Sequence, residues 1–186
     1  MAKVSAAART HPLAGRKVAN KAVKITPAEP AGRLSLRAGD DALASLSRAL
    51  GLKLPTAPKN SAASKAGSRA ALWLGPDEWL VIDTGGGDPA ADCARAKALH
   101  SAVDISHRNT AILVEGADAE DVLSAGCPQD LSLAAFPVGA CSRTILGKSE
   151  IVLLRTGEEA FRVECWRSFS DYVFAFLTEA ARDASA

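Results

Sequence analysis

Ala71-Leu72-Trp73-Leu74, Gly75-Pro76-Asp77-Glu78 and Trp79-Leu80-Val81-Ile82 read as strand, turn and strand, because two short apolar runs flank a Gly-Pro-Asp punctuation. A shift of 82 residues carries Gly75, Trp79 and Val81 onto Gly157, Phe161 and Val163. Upstream, Leu34-Ser35-Leu36-Arg37 alternates as a strand does. Asp40-Asp41 then opens a helix with Leu43, Leu46 and Leu50 at helical spacing, stopped by Gly51. A shift of 77 carries Gly39, Asp41, Ala42 and Leu46 onto Gly116, Asp118, Ala119 and Leu123. The identities are few but fall at matching structural points. They predict an α+β fold of duplicated ferredoxin-like β-α-β-β-α units in one domain over 34–183, with halves at 34–106 and 107–183.

Further elements follow the same grammar. The sequence predicts a helix from Asp88 to His100, capped by Asp88 with Pro89 in its first turn, then a short strand at Val103-Asp104-Ile105. In the second half it predicts strands at 110–114, 141–146, 150–154 and 161–165 and a last amphipathic helix opened by Ser168-Phe169-Ser170-Asp171. Residues 55–70, rich in Pro, Ser, Ala and Lys, read as a long mobile loop.

The net charge of +1 over 186 residues argues against a nucleic-acid protein. It conceals an asymmetry: residues 1–33 hold seven Lys or Arg against Glu29 alone, so they carry +6 and the rest −5. With Pro12, Pro27 and Pro30 and no apolar recurrence, 1–33 reads as a basic flexible arm able to lie on an acidic partner surface. No run approaches the roughly 18 apolar residues of a membrane span, and the N-terminus lacks the apolar core of a signal peptide. A cytoplasmic setting is therefore expected.

Catalytic chemistry is sparse. Asp104, Ser106 and His107 sit too close on one strand end to take up nucleophile, base and orienter positions, so they read as a hydrogen-bonding turn. Gly85-Gly86-Gly87 lacks a phosphate-loop continuation and precedes Asp88, so it reads as a plain loop. Cys93, Cys127, Cys141 and Cys165 form no close pair and read as small buried hydrophobes rather than zinc ligands. The sequence names no catalytic, cofactor-binding or metal-binding residue. Trp79, Arg143 and Arg167 are the candidate partner-binding residues: Trp as an interface anchor, and each Arg at a strand end where it can meet a carboxylate.

One string of segments carries a family resemblance: Leu74-Gly75-Pro76-Asp77-Glu78-Trp79-Leu80, Val103 to Arg108, Gly126-Cys127-Pro128-Gln129-Asp130-Leu131, Phe136-Pro137-Val138-Gly139, Thr144-Ile145-Leu146-Gly147 and Trp166-Arg167-Ser168. Over Ala71 to Ala181 it resembles the gamma subunit of heterotetrameric sarcosine oxidase. That family is in turn similar to the folate-binding T-protein of glycine cleavage. The resemblance implies paired ferredoxin-like units and a non-catalytic subunit. The oxidase would demethylate sarcosine to glycine, form hydrogen peroxide and pass a one-carbon unit to tetrahydrofolate. It further implies alpha, beta and delta subunits as partners, chiefly alpha. This chain would hold no cofactor, with FAD, FMN, NAD and zinc in the partners. The basic arm and the Trp79 hairpin are the expected docking elements. Where the T-protein places its catalytic carboxylate, this chain has Lys148 or Ser149, which cannot act as a carboxylate toward a folate amine. Two other readings remain: a stand-alone folate-dependent one-carbon transferase or repair protein, and a scaffold subunit of another oxidase.

Overall fold

Alternation along the strands sorts the side chains into three apolar layers. In the computed structural model, which describes residues 11–184, the chain forms eleven strands and four α-helices. The first stretch supplies β1 (Val18–Ala19) and β2 (Lys24–Pro27). The first half then runs β3 (Gly32–Ala38), α1 (Leu43–Leu50), β4 (Ser61–Ala63), β5 (Arg69–Gly75), β6 (Glu78–Asp83), α2 (Pro89–Cys93) and β7 (His100–Asp104). The second half runs β8 (Asn109–Glu115), α3 (Ala119–Ser124), β9 (Cys141–Leu146), β10 (Ser149–Gly157), β11 (Ala160–Trp166) and α4 (Ser170–Asp183).

The strands form two antiparallel sheets, ordered β4-β5-β6-β3-β7 and β1-β2-β8-β11-β10-β9. Leu34, Leu36, Trp79 and Val81 face Leu46, Leu50 and Cys93 of α1 and α2. Ile112, Val114, Phe161 and Val163 face Val122, Leu123, Val173 and Leu177 of α3 and α4. The opposite faces meet each other through Leu72, Leu80, Ile82, Cys141, Val152 and Leu154. The result is helix, sheet, sheet, helix.

The duplication reaches the irregularities. The β5–β6 pairing slips between Trp73 and Gly75, and the β10–β11 pairing slips between Arg155 and Gly157. Both slips sit at the same place in the repeat, where the bulge lets a short turn reverse a twisted pair.

Four expectations are corrected. Residues 11–33 are built into the body: β2 pairs with β8, and Leu13, Val23 and Ile25 are buried in the second-half core. His11 lies in this segment, its Nε2 against the Ala28 carbonyl at 2.9 Å and its Nδ1 accepting from the Leu13 N–H at 3.2 Å. Gly116, at φ +124°, shows how closely the segment fits, since a Cβ there would collide with the Ala22 carbonyl. Isolated apolar residues among lysines show no period, yet they find their layer because β8 offers a free edge. Residues 1–10 of the expected arm lie outside the described residues. The stretch 55–70 is not a loose loop: β4 pairs with β5, and the Pro55 carbonyl accepts the Trp79 indole N–H at 2.7 Å. The helix expected over 88–100 stops at Cys93, because the chain must return to pair His100 with Ala38 on β3. Asp88 does cap it, accepting from the Ala90 and Ala91 amides. The last helix begins at Ser170 after a 3-10 turn over Arg167–Phe169, without the side-chain cap expected there.

Ile25 tests whether the first strands belong to the domain. Ile25→Ala should lower the unfolding free energy by about 2–5 kcal/mol in urea titration, as for other buried Ile to Ala changes. A loss below about 0.5 kcal/mol would show that β2 docks only loosely.

Candidate functional site

Between the sheets the apolar contact gives way to charge. Arg33 on β3 and Arg162 and Glu164 on β11 occupy the positions alternate to the core residues, so their side chains enter the seam between the halves. Arg33 Nε donates to Glu164 Oε2 at 2.5 Å and Arg162 Nε to Glu164 Oε1 at 2.8 Å, with Glu164 fully buried. Arg33 Nη1 also donates to the Ala31 carbonyl at 3.1 Å. One carboxylate thus bridges two guanidiniums from opposite halves, and Arg162 Nη2 is buried without a partner. Removing a charge from such a buried group costs far more than removing a surface pair, because the remaining ion stays desolvated.

Further along the seam, Arg143 donates from Nη1 and Nη2 to the two carboxylate oxygens of Glu78. These hydrogen bonds raise the Arg143 pKa above its ordinary value, against the opposing effect of burial. This fork ties β9 to β6, again across the halves. Beside it lies a cavity of about 110 Å³, lined by Leu74, Glu78, Asn109, Arg143, Glu150 and Trp166 among others. The Arg108 guanidinium lies 4.2 Å from the Trp166 ring centroid at its rim.

The three candidate partner-binding residues part company. Trp79 is 1% exposed in the first-half core and is corrected from interface anchor to core residue. Arg143 is exposed at the seam but engaged with Glu78. Arg167 is half-buried and lines a separate cavity of about 70 Å³ with His11, Glu29 and Arg33. Its backbone N–H donates to the Arg108 carbonyl.

The weaker motifs resolve into structure. Ser106 accepts from the Arg33 N–H at 2.8 Å, and Asp104 accepts from the Ser106 amide, so the turn after β7 fastens β3. His107 is exposed. In the glycine run, the Gly85 and Gly87 amides both donate to Asp83 Oδ1, which commits them to a side chain rather than to a phosphate. Burial pushes the thiols of Cys93, Cys141 and Cys165 up to about 11, 12 and 12, making them inert at neutral pH. Among the described residues, no group of three or more His, Cys, Asp or Glu is placed to hold a metal ion. Among the same residues, no helix is long and apolar enough to cross a membrane.

The Arg33–Glu164 link escaped the sequence reading because its partners stand 131 residues apart. The available signal was the alternation Arg162-Val163-Glu164-Cys165, which places two charges on one face of a strand whose other face is core.

A family model for the sarcosine oxidase gamma subunit matches residues 36–184. The chain belongs to this family. Sarcosine oxidase subunit gamma from Corynebacterium sp. (strain U-96) is 33% identical over 164 residues, covering 83% of this chain and 77% of the relative. The namesake subunit from Corynebacterium sp. (strain P-1) is 33% identical over 144 residues, covering 76% and 70%. A chain of heterotetrameric sarcosine oxidase from Corynebacterium sp. U-96, solved with pyrrole 2-carboxylate, superposes with a TM-score of 0.86 at 28% identity, over 96% of this chain and 97% of that one. Aminomethyltransferase T of the glycine cleavage system from Bartonella henselae superposes with a TM-score of 0.64 at 13% identity, over 87% of this chain and 46% of the enzyme. That likeness is one of fold, and it agrees with the duplicated α+β architecture of this gamma-family chain.

Asp83 provides a titratable test of the packing around the glycine run. Burial by itself would raise its pKa. The Arg69 hydrogen bond at 2.7 Å and the Gly87 and Gly85 amides outweigh it and hold the carboxyl below the usual range. Asp83 therefore stabilises the fold above its unfolded pKa of about 4, and that stabilisation is lost as the pH falls through the lower folded value. The stability gap between wild type and Asp83→Asn should accordingly narrow from pH 6 toward pH 2 in denaturant titrations. A gap independent of pH would contradict this assignment.

Proposed function

We propose that this chain is the gamma subunit of a heterotetrameric sarcosine oxidase and serves it as a non-catalytic structural element. The observation that carries the reading is the near-complete overlap in both directions with one chain of such an oxidase.

In this reading the complex oxidises the N-methyl group of sarcosine, releasing glycine. Oxygen is reduced to hydrogen peroxide and the one-carbon unit passes to tetrahydrofolate. FAD, FMN, NAD and zinc belong to the other subunits, in a cytoplasmic complex where this chain docks chiefly on alpha. The seam between its halves supports a structural role. The ion pairs beside the cavity of about 110 Å³ tie one half to the other. Arg143 and Arg167 remain the basic contacts proposed for a partner carboxylate. The transferase alternative is disfavoured by the β9–β10 turn. Ser149 is buried, with its hydroxyl donating to the Glu150 carbonyl, and the Lys148 amide donates to the Tyr172 hydroxyl. No carboxylate occupies that turn.

Expression alone and together with the alpha, beta and delta subunits tests the proposal. The isolated chain should purify colourless and inactive. Co-expression should yield a yellow complex that retains the chain through gel filtration and forms peroxide from sarcosine. A flavin spectrum or saturable tetrahydrofolate binding from the isolated chain would overturn it.

A further inference from the structure

The two sheets end differently at equivalent edges. Read from β9, the second-half sheet runs β9-β10-β11-β8-β2-β1, and the first-half sheet runs β4-β5-β6-β3-β7. β7 therefore holds the place of β2, but only β2 has a further strand outside it. The correspondence extends to single residues. Ile25 stands opposite Val114, which stands opposite Phe161. Ala102 stands opposite Leu36, which stands opposite Trp79.

Backbone direction agrees. The Ile105 N–H donates to the Arg33 carbonyl, so alternate residues Val103 and Ser101 also face β3 and Ala102 faces outward. The Ala28 N–H donates to the Ala111 carbonyl, which by the same alternation turns Ile25 outward from β8. In the second half Val18 of β1 stands opposite Ile25 and packs on the core beneath. Among the described residues, no strand pairs with β7 on that side.

We propose that in the assembled oxidase the β7 edge is completed by an extended segment of another subunit, running antiparallel to β7 with an apolar side chain opposite Ala102. This rests on the subunit role proposed above. The internal repeat supplies the template: a strand with Val18 at the matching place. The surface fits it, since Ala96, Ala98 and Ala102 form a low apolar margin on the helix side. Leu99 is 89% exposed and Val103 54% exposed. The strand carries no Lys or Pro of the kind that blunts solvent-facing edges. Strand addition uses main-chain hydrogen bonds for affinity and alternate side chains for specificity, and Ala102 offers both a free N–H and a free carbonyl. The occupant is assigned to another subunit rather than to a second copy because the matching structural relative is a heterotetramer.

The test is amide hydrogen exchange on this chain, alone and in complex with the co-expressed alpha, beta and delta subunits, together with the variant Ala102→Pro. Proline at an outward-facing edge position removes no internal hydrogen bond, so the variant should fold. The Ala102 amide should exchange at least about 100-fold more slowly in the complex than in the isolated chain. Ala102→Pro should weaken subunit association at least about tenfold. Equal exchange in both states overturns the proposal even if the variant fails to fold. Protection in the isolated chain that grows with its concentration also overturns it, by identifying a second copy as the occupant. If the wild-type chain forms no complex, the subunit role falls and this inference with it. A complex in which Ala102 stays unprotected leaves the subunit role standing and removes only the strand.

Discussion

The bridge from Arg33 through Glu164 to Arg162 is the constraint around which the two halves are arranged. Each sheet already has its own helices to cover one face, so what remains is to join the two inner faces. Apolar contact through Leu72, Leu80, Ile82, Val152 and Leu154 does this over part of the seam. Apolar contact alone tolerates sliding, whereas a buried carboxylate shared by two guanidiniums fixes one register, because any displacement strands desolvated charge. The Arg143–Glu78 fork repeats the device nearer to solvent. The seam thereby becomes a fastening between halves.

Duplication explains both the economy and the asymmetry of the chain. The two halves share strand order, bulge position and the path from strand through Gly to helix. They differ at their outer edges, where β1 and β2 close one sheet and β7 ends the other. The basic N-terminal stretch, +6 by sequence, contributes apolar layer residues through Leu13, Val23 and Ile25 while several of its lysines stay outside. Lys24 meets Glu115 at 3.2 Å on the surface. Of its described charges, Lys24 lies on the exposed side of β2 and Arg33 is buried in the seam.

The sequence made legible those elements whose periodicity is local. The β5–β6 hairpin, the strand and helix after Asn109 and the amphipathic α4 all carry their own pattern of apolar spacing. Elements defined by a distant partner were not legible. β4 is Ser-Ala-Ala, without β-branched residues, and exists because β5 lies beside it. β2 carries Pro27 and a single buried Ile, and exists because β8 has an edge to offer. The same limit governed the site. Trp79 looked like an anchor because Trp is enriched at interface hot spots, but the Pro55 carbonyl that fixes its indole lies 24 residues away in sequence. Arg143 was singled out from its position at a strand end, while its Glu78 partner became visible only once the halves were placed face to face.

A double-mutant cycle on Arg33 and Glu164 tests this arrangement most directly. Arg33→Met and Glu164→Gln are made singly and together, and unfolding free energies are measured by denaturant titration. Glu164→Gln should cost about 3 kcal/mol or more, since it leaves two buried guanidiniums without their carboxylate, and Arg33→Met should cost less, since Glu164 keeps Arg162. The pair should cost less than the sum by at least about 1.5 kcal/mol. Additivity within about 0.5 kcal/mol would mean that the two residues act independently, and this bridge would not be what fixes the register of the halves.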